Sequence, residues 1–381
     1  MSEKNIHEYL KTIIKFYTYM DKTKVLIVND SKLKRALLGD IIKSIPFTEV
    51  IDECPNGVIA LMRISIKKPD VILLDLEMPQ MDGITFLRKL MPQTPIPVII
   101  VSSYAHNGSH LVLDAIEAGA VDYLEFPTDI TNNFDKYKKQ IASKIKTAIN
   151  LDKKLLTSRK IPSLQDTQSA VHDSVIVIGA STGGPELVNR VISQLPSDVS
   201  AGVLVIQHML PASVASFVEY LKRNSKLEVR IAKEGDVVKR GVVLVAPGDH
   251  HMKVTPEKTI TLTKEEKIFG VRPAISPTMI SASEAYGARS VGVILTGMGH
   301  DGGFGCLAIK KRGGITIVQD ESSSVVFGMG KEARDLNAVD IFVPPDLIVS
   351  QIISSLQKIG NLAEKKSSRS WWFKKPELIT N

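Results

Sequence analysis

Short apolar runs alternate with stretches of helical periodicity through the first part of the chain. The amphipathic stretches predict helices, for example at Ser31–Ile45 and Gly57–Lys67, and the apolar runs between them are typical of buried strands. The predicted strands are Val25–Val28, Glu49–Asp52, Val71–Leu74, Val98–Val101 and Asp122–Leu124. Repeated strand–helix units of this kind predict an α/β domain with a doubly wound, five-stranded parallel sheet.

The same alternation returns in the second half of the chain. A continuous apolar run, Val175–Ile178, enters a glycine-rich turn, and a helical pattern begins at Pro185, which suits the first helical position. Further apolar runs predict strands at Val203–Ile206, Val242–Ala246 and Ile315–Gln319, and one that begins at Val291. The runs His251–Thr255 and Thr259–Leu262 predict a hairpin. We therefore expect a second α/β domain, whose sheet is mostly parallel with a small antiparallel part.

The segment between the two patterns is polar, contains proline and has no aromatic residue, which predicts an interdomain linker. The expected organisation is an N-terminal extension (1–22), a first domain (23–148), the linker (149–172), a second domain (173–360) and a basic tail (361–381). Both tryptophans, Trp371 and Trp372, lie in this tail among lysines and an arginine. The tail could dock on a partner or remain an unstructured end, and the sequence leaves both open.

Charge is concentrated outside the two predicted domains. The 381 residues carry a formal net charge of +7 at pH 7, of which the linker supplies +2 and the tail +3. We therefore do not expect a nucleic-acid-binding surface. No apolar run is long enough to span a bilayer, and the first residues lack a signal-peptide pattern. The two cysteines, Cys54 and Cys306, show no metal-binding spacing, so we expect a cytoplasmic protein.

Three predicted strand ends in the second domain carry residues that could perform nucleophilic chemistry. Ser181 lies within a G-x-S-x-G pattern, His208 follows the next strand, and Asp301 follows the strand that begins at Val291. In a parallel sheet these ends meet at one edge, where ligands bind. A serine nucleophile needs a base to take its proton, and the base needs a carboxylate to orient it. The order of the three residues differs from that of α/β-hydrolases.

Two other interpretations of the glycine-rich turn are possible. A dinucleotide-binding loop would need an acidic residue at the end of the next strand, but that strand ends in Gln207 and His208, which disfavours this reading. The glycines could also serve only to let the backbone turn.

Two carboxylates of the first domain follow strands that should be neighbours. Asp30 comes after the first strand and Asp75 after the third, so both should meet at one edge of the sheet. Oxygen ligands of this kind bind a hard cation such as Mg²⁺. Alternatively, each carboxylate could cap the helix that follows it.

Three blocks of the second domain, Gly179–Pro185, Gln207–Met209 and Thr296–Gly302, follow one another in a characteristic order. In these blocks and their order, the domain resembles the CheB family of chemotaxis protein-glutamate methylesterases. This resemblance implies hydrolysis of glutamate γ-methyl esters on chemoreceptors and deamidation of specific receptor glutamines, with no cofactor for the ester chemistry. By the same resemblance, Ser181 is the nucleophile, His208 the base, Asp301 the orienting carboxylate, Met298 an oxyanion donor, and Thr182 a residue near the substrate.

The first domain resembles response-regulator receiver domains through the block Leu74–Gly83. The resemblance implies a phospho-acceptor, a hydroxyl that senses the phosphoryl group, a Mg²⁺ site and a histidine kinase as phosphodonor. The implied residues are Asp75 (phospho-acceptor and metal ligand), Ser102 (sensing hydroxyl), Asp30 (metal ligand) and Asn29 (weaker metal ligand).

Two positions depart from the receiver pattern. Asn29 replaces the first of two acidic residues, and Phe126 replaces the lysine that usually precedes the proline after the fifth strand. In receivers that lysine pairs with the phosphoryl oxygens, so its replacement predicts weak, altered or absent phospho-signalling. Two alternatives to a regulated methylesterase therefore remain open. One is a signalling scaffold with a degenerate receiver and no turnover, and the other is a serine esterase for a different substrate.

Three histidines outside these blocks receive no catalytic role. His250 and His251 have no third ligand at a useful spacing for a metal, so we expect ordinary polar residues near the rim of the cleft. His300 is expected to be a loop residue at the site.

Overall fold

The structure is a computed structural model that describes residues 22–102, 109–126, 130–149 and 173–371. The predicted N-terminal extension before Lys22, the linker from Asn150 to His172 and the tail from Trp372 onward lie outside these ranges. The chain divides into two compact units. Within the described ranges, no helix combines the length and apolar character needed to cross a membrane.

The first unit is built on a parallel sheet whose strands, among the described residues, have the order β2-β1-β3-β4-β5. The strands are β1 (Thr23–Val28), β2 (Thr48–Cys54), β3 (Val71–Leu74), β4 (Val98–Ser102) and β5 (Asp122–Glu125). The helices in this part of the chain are α1 (Lys32–Ser44), α2 (Gly57–Ile66), α3 (Gly83–Gln93), α4 (Ser109–Glu117) and α5 (Ile130–Ile149). The predicted five-stranded sheet is confirmed.

Polar side chains cap the first helices of this unit. The Ser31 hydroxyl accepts from the N–H of Lys34, and the Asp82 carboxylate accepts from the N–H of Thr85. Such caps satisfy N–H groups that have no partner within the helix. Because Ser31 caps α1 and Asp82 caps α3, the alternative that Asp30 and Asp75 cap these helices is wrong.

The second unit contains a parallel sheet with the order β14-β13-β12-β6-β7-β9-β8, and its described strand pairs are all parallel. The strands are β6 (Ser174–Ala180), β7 (Ala201–Gln207), β8 (Glu228–Ile231), β9 (Val242–Val245), β12 (Ser290–Ile294), β13 (Ile315–Gln319) and β14 (Ile341–Val343). The predicted hairpin forms a separate antiparallel sheet, β10 (His251–Val254) and β11 (Ile260–Thr263). The three strands that lead to the candidate catalytic residues, β6, β7 and β12, are adjacent in the sheet.

Helices cover both faces of this sheet and bury its apolar residues in two clusters. They are α6 (Gly184–Gln194), α7 (Val214–Asn224), α8 (Ile275–Tyr286), α9 (Gly303–Lys311), α10 (Gly328–Asp335) and α11 (Pro345–Trp371). Residues of β6 alternate between the clusters, since Ile176 and Ile178 belong to one and Val175 and Val177 to the other. A strand buried on both faces needs a continuous apolar run, which explains the sequence of β6.

Several elements of this unit were not predicted from the sequence, among them β8, β14, α7 and α8. The short edge strands β8 and β14 include exposed residues, so their apolar patterns are weak. Helix α8 is rich in serine and contains Pro277, features that are unfavourable in a helix interior. The backbone of α11 continues to Trp371, so the predicted tail begins as part of a helix.

Candidate active site and receiver site

Ser181 lies in the turn between β6 and α6, at the carboxyl edge of the larger sheet. Its N–H donates to the carbonyl oxygen of Thr296 at 3.0 Å, and its own carbonyl accepts from the N–H of Gly184 at 2.8 Å. Gly183 has a φ of 74°, a left-handed conformation that a residue with a side chain adopts only at a cost. The turn that presents Ser181 is therefore held on both sides.

Gln207 fixes this turn from the neighbouring strand. Its buried amide nitrogen lies 2.8 Å from the carbonyl oxygen of Ser181 and 3.2 Å from that of His208. A Cβ added at Gly184 would stand 2.3 Å from the Gln207 Oε1 atom, so glycine is required for this close approach. Gln207 thereby couples the serine turn to the histidine that follows it.

His208 stands beside Ser181 because β6 and β7 are in parallel register. Ala180 pairs with Gln207, and the N–H of His208 donates to the carbonyl oxygen of Ala180 at 3.0 Å. Ser181 and His208 thus each directly follow a paired residue at the end of a strand. The His208 Nε2 atom lies 2.9 Å from Oδ2 of Asp301, and both side chains are largely buried.

Asp301 is enclosed by hydrogen-bond donors. Its Oδ2 atom accepts from the N–H of Ile275 at 2.6 Å. Its Oδ1 atom accepts from the N–H and the hydroxyl of Ser276, at 3.0 and 2.8 Å, and from the N–H of Gly302 at 2.8 Å. Ile275 begins α8, so the carboxylate also lies at the positive end of a helix dipole.

These donors determine the ionisation of Asp301. Burial has the largest single effect and raises the pKa of its carboxyl group, but the hydrogen bond and charge of His208 and the N–H groups of Ile275 and Ser276 outweigh it, so the net pKa is lowered. An ionised carboxylate can only accept hydrogen bonds, so Nε2 carries the proton in neutral His208. The Nδ1 atom of His208 is then the nitrogen that can act as a base.

A second segment, Thr296–Met298, crosses close to Ser181. A Cβ added at Gly297 would stand 2.8 Å from the Cβ of Ser181 and 2.5 Å from the sulfur of Met329. The Thr296 hydroxyl lies 3.1 Å from the carbonyl oxygen of Thr182, which ties the two segments together. The side chain of Met298 is 55% exposed, so this part of the site is open to solvent.

Asp75, in the first unit, is a buried carboxylate directly after β3. Its Oδ1 atom accepts from the N–H of Leu76 at 2.8 Å, and its Oδ2 atom accepts from the amide nitrogen of Asn29 at 2.7 Å. The ammonium of Lys34 lies 4.0 Å from Oδ2. Burial raises the pKa of Asp75 to about 6, with the charge of Asp30 adding to the shift and that of Lys34 opposing it.

The oxygen donors around Asp75 fit a hard cation only in part. Asp30 is exposed next to it, and two carboxylates are suitable ligands for Mg²⁺. Asn29, however, presents its nitrogen to Asp75, while its oxygen accepts from the N–H of Ser31 at 2.9 Å. Asp30 and Asp75 are therefore the side chains that would hold the cation.

Ser102 and Phe126 lie at the ends of the next two strands. Ser102 is buried at the end of β4, and its carbonyl oxygen accepts from the N–H of Phe126 at 2.8 Å. The Phe126 ring packs edge-on against Tyr137 of α5, with ring centroids 6.1 Å apart. The position at which receivers carry a lysine is thus occupied by an aromatic ring partly buried against α5.

Comparisons with known proteins agree with both parts of this geometry. A sequence model of the CheB methylesterase family matches residues 176–352, and one of the response regulator receiver domain matches residues 25–136. The protein-glutamate methylesterase/protein-glutamine glutaminase of Pyrococcus horikoshii is 42% identical over 354 residues, which cover 90% of this chain and 96% of that protein. The chain belongs to the CheB family.

A second relative and one solved structure are also similar to this chain. The protein-glutamate methylesterase/protein-glutamine glutaminase of Clostridium acetobutylicum is 38% identical, over 88% of this chain and 98% of that one. The crystal structure of the Thermotoga maritima CheB methylesterase catalytic domain is 38% identical and covers 48% of this chain and 99% of that chain, with a TM-score of 0.47.

The sequence placed Ser181, His208 and Asp301 at neighbouring strand ends of this CheB protein, and the structure brings His208 and Asp301 into direct contact. Sequence reasoning gave no role to Gln207 or Ser276. Gln207 could have been noticed as a polar residue at the end of an otherwise apolar run. Ser276 carried no local signal, because its partner Asp301 lies 25 residues away.

The remaining histidines have structural surroundings. His251 is fully buried, which contradicts its expected place near the rim: its Nδ1 accepts from the N–H of Ala274, and its Nε2 lies 3.0 Å from the carbonyl oxygen of Glu266. The ring therefore joins β10 to the segment before α8. His250 contacts the carbonyl oxygen of Gly248, and exposed His300 pairs with Glu332.

Proposed function

We propose that this CheB protein is a serine hydrolase that removes methyl esters from glutamate side chains of chemoreceptors and deamidates specific receptor glutamines. The observation that carries the proposal is the contact of His208 Nε2 with the ionised carboxylate of Asp301. It leaves Nδ1 of His208 as a base beside the turn that presents Ser181. The proposed catalytic domain spans 173–360.

The proposed reaction begins with attack of the Ser181 oxygen on the side-chain carbonyl carbon of the substrate. His208 takes the serine proton on Nδ1, and Asp301 stabilises the imidazolium that forms. The tetrahedral intermediate collapses as His208 returns the proton to the leaving group, which departs as methanol from an ester or ammonia from an amide. Water then cleaves the acyl-enzyme in the same manner, which releases the glutamate carboxylate and restores Ser181. This chain of proton transfers needs no cofactor.

The negative charge on the intermediate requires hydrogen-bond donors. We assign the backbone N–H of Met298 to this oxyanion, with Thr182 beside the substrate, since the preceding residue, Gly297, lies so close to Ser181 that an added Cβ would stand 2.8 Å from the Ser181 Cβ. A donor of this kind contributes about 3–4 kcal/mol to transition-state stabilisation. The bonds from Ser181 N–H to Thr296 and from Thr296 to Thr182 hold both segments in place before the substrate arrives.

The proposed receiver domain, 23–148, would regulate this activity in the cytoplasm. A carboxylate oxygen of Asp75 attacks the phosphorus of the donor, a histidine kinase or a small acyl phosphate, and the bond from phosphorus to the donor breaks. Mg²⁺ held by Asp30 and Asp75 would neutralise charge on the phosphoryl group. Ser102, at the adjacent strand end, is assigned as the hydroxyl that senses the phosphoryl group.

Covalent labelling separates the enzyme from a scaffold without turnover. A fluorophosphonate should modify Ser181, as located by peptide mass spectrometry, and the His208→Gln variant should react far more slowly. An unlabelled Ser181 in the folded chain would favour the scaffold. Competition between methylated receptor membranes and a simple methyl ester then tests the substrate, because an esterase for small molecules would not prefer the receptor.

A further inference from the structure

Lys34 places a cation at the phosphorylation site from an unexpected element. It lies in the first turn of α1, which follows β1, whereas receivers carry their lysine after β5. Its ammonium is 4.0 Å from Asp75 Oδ2 and 5.8 Å from the centroid of the Phe126 ring. The ammonium thus lies near both the acceptor carboxylate and the ring that replaces the receiver lysine.

The other basic residues nearby have different partners. One guanidinium nitrogen of Arg35 donates to the backbone carbonyls of Asn29 and Asp30, at 2.7 and 3.0 Å. Lys144 of α5 pairs with Asp122 at 2.8 Å. Among the ion pairs of the described residues, the one that includes Asp75 is formed by Lys34.

The Lys34 side chain is partly buried, but its ammonium group is not fixed in one position. The side chain is 27% exposed, which leaves the ammonium partly hydrated and able to move on its flexible stem. The face of an aromatic ring attracts a cation at this distance, so the Phe126 ring stabilises the Lys34 ammonium in its position near Asp75.

Phosphorylation of Asp75 would increase the need for this cation. A phosphoryl group brings about −1.5 to −2 of charge and three acceptor oxygens to a largely buried site. These oxygens project beyond the carboxylate atom that carries them, so an ammonium at 4.0 Å from the unmodified oxygen can reach them by a rotation of its stem.

We propose that Lys34 binds the phosphoryl group on Asp75 in place of the receiver lysine that Phe126 replaces. This inference rests on the proposed phosphorylation of Asp75. It accounts for a receiver that keeps its acceptor, its neighbouring carboxylate and its sensing hydroxyl while it lacks the usual lysine. The cation comes from α1, so the phosphoryl group contacts a different element from the one it contacts in other receivers.

Beryllofluoride, which mimics a phosphoryl group on a carboxylate, tests this assignment. We would titrate the full-length chain with it in the presence of Mg²⁺ and follow the bound fluorine signals by ¹⁹F NMR. The informative variant is Lys34→Gln, and Lys34→Arg is its conservative partner. Lys32→Gln is the matched control, because Lys32 is an exposed lysine in the same helical turn and its loss changes the net charge equally.

We expect Lys34→Gln to weaken binding by about tenfold or more, since it removes a charged hydrogen bond to the bound group. Lys32→Gln should change binding by less than about twofold. Lys34→Arg should retain most of the affinity, and Phe126→Lys introduced into Lys34→Gln should restore part of it. Circular dichroism melting curves establish that each variant is folded.

Three results would overturn the inference. They are unchanged binding by Lys34→Gln, an equal loss in Lys32→Gln, and no recovery in the double variant. Failure of the proposed phosphorylation of Asp75 gives a different result. In that case the unmodified chain binds no beryllofluoride, or the unmodified chain and Asp75→Asn bind it equally well.

Discussion

His208 and Asp301 form the contact that determines which nitrogen of the histidine can act as a base. Nε2 of His208 donates to Oδ2 of Asp301 over 2.9 Å, and the carboxylate is ionised because its pKa is lowered. The contact therefore orients the ring and leaves Nδ1 to receive the proton of Ser181. The catalytic proposal depends on this arrangement.

Replacement of the carboxylate by an amide should disrupt this arrangement. In Asp301→Asn, the NH₂ group of the new amide would point its hydrogens either at His208 or at the backbone N–H groups at the start of α8. We expect kcat for methanol release to fall by about 10⁴-fold, because the favoured tautomer of His208 changes. KM should change little. A kcat within tenfold of the unmodified chain would contradict the role of Asp301.

The same variant has a predictable pH dependence of stability. Because the pKa of Asp301 is lowered in the folded chain, its stabilising contribution is complete above the unfolded value of 3.8 and is lost as pH falls through the lower folded value. The advantage of the unmodified chain over Asp301→Asn, measured by urea unfolding, should therefore shrink as pH falls below about 4. An advantage that instead grows as pH falls below about 4 would contradict the lowered pKa of Asp301.

Ser276 should act as a positioning residue for Asp301. Its hydroxyl donates to Oδ1 and accepts from the N–H of Gly302, so Ser276→Ala leaves one buried N–H without that partner. We expect kcat to fall by about tenfold, and the free energy of unfolding to fall by about 1–3 kcal/mol. Ser283→Ala is a matched control on the same helix, because that buried hydroxyl bonds only to the carbonyl oxygen of Ile280 among the described contacts.

The acidic limb of the pH–kcat profile separates positioning from simple structural damage. If Ser276 helps to hold Asp301 ionised, its loss should displace that limb to higher pH. A stability loss with an unchanged profile would assign Ser276 a structural role alone.

Gly297 should tolerate no side chain. Its added Cβ would contact Ser181 Cβ at 2.8 Å and the Met329 sulfur at 2.5 Å, so the segment that carries Met298 must move away from the nucleophile. We expect Gly297→Ala to lower kcat by about 10²-fold, comparable to the loss of an oxyanion donor. Gly299→Ala is the comparison, because its Cβ meets open space and the cost is only that of its φ of 95°. Equal losses in the two variants would contradict the close approach.

The sequence predicted the strands of both sheets better than it predicted the surroundings of the site. Continuous apolar runs such as Val175–Ile178 report burial on both faces of a sheet, which is a local property. The roles of Gln207, Ser276 and Lys34 depend on which distant segments approach them. Ser276 was missed because α8 has a poor helical pattern. Lys34 was missed because its role depends on its distance from the Phe126 ring, which follows a different strand of the sheet.

Asp75 should destabilise the first unit when it ionises in the absence of a cation. Burial raises its pKa from 3.8 to about 6, so the folded state binds the proton more tightly and stability is lost as pH rises between these values. In EDTA, Asp75→Asn should gain about 2 kcal/mol relative to the unmodified chain between pH 4 and 7. The measurement is the calorimetric transition of the first unit within the full-length chain.

Mg²⁺ provides the internal control for this prediction. A cation held by Asp30 and Asp75 favours their ionised forms, so it should raise the transition temperature of the unmodified chain at pH 7 and leave Asp75→Asn unchanged. An equal response of both chains would place the cation elsewhere.

Methanol release from methylated receptor membranes tests the central claim most directly. The chain would be assayed with Mg²⁺, with and without a small phosphodonor, beside Ser181→Ala and the control Ser193→Ala, whose hydroxyl bonds within α6. We predict release by the unmodified chain and by Ser193→Ala, and a loss of at least about 10³-fold in Ser181→Ala with an unchanged melting temperature. A higher rate with phosphodonor would show that Asp75 regulates the site. Turnover retained by folded Ser181→Ala, or no release by the unmodified chain in either condition, would contradict the account.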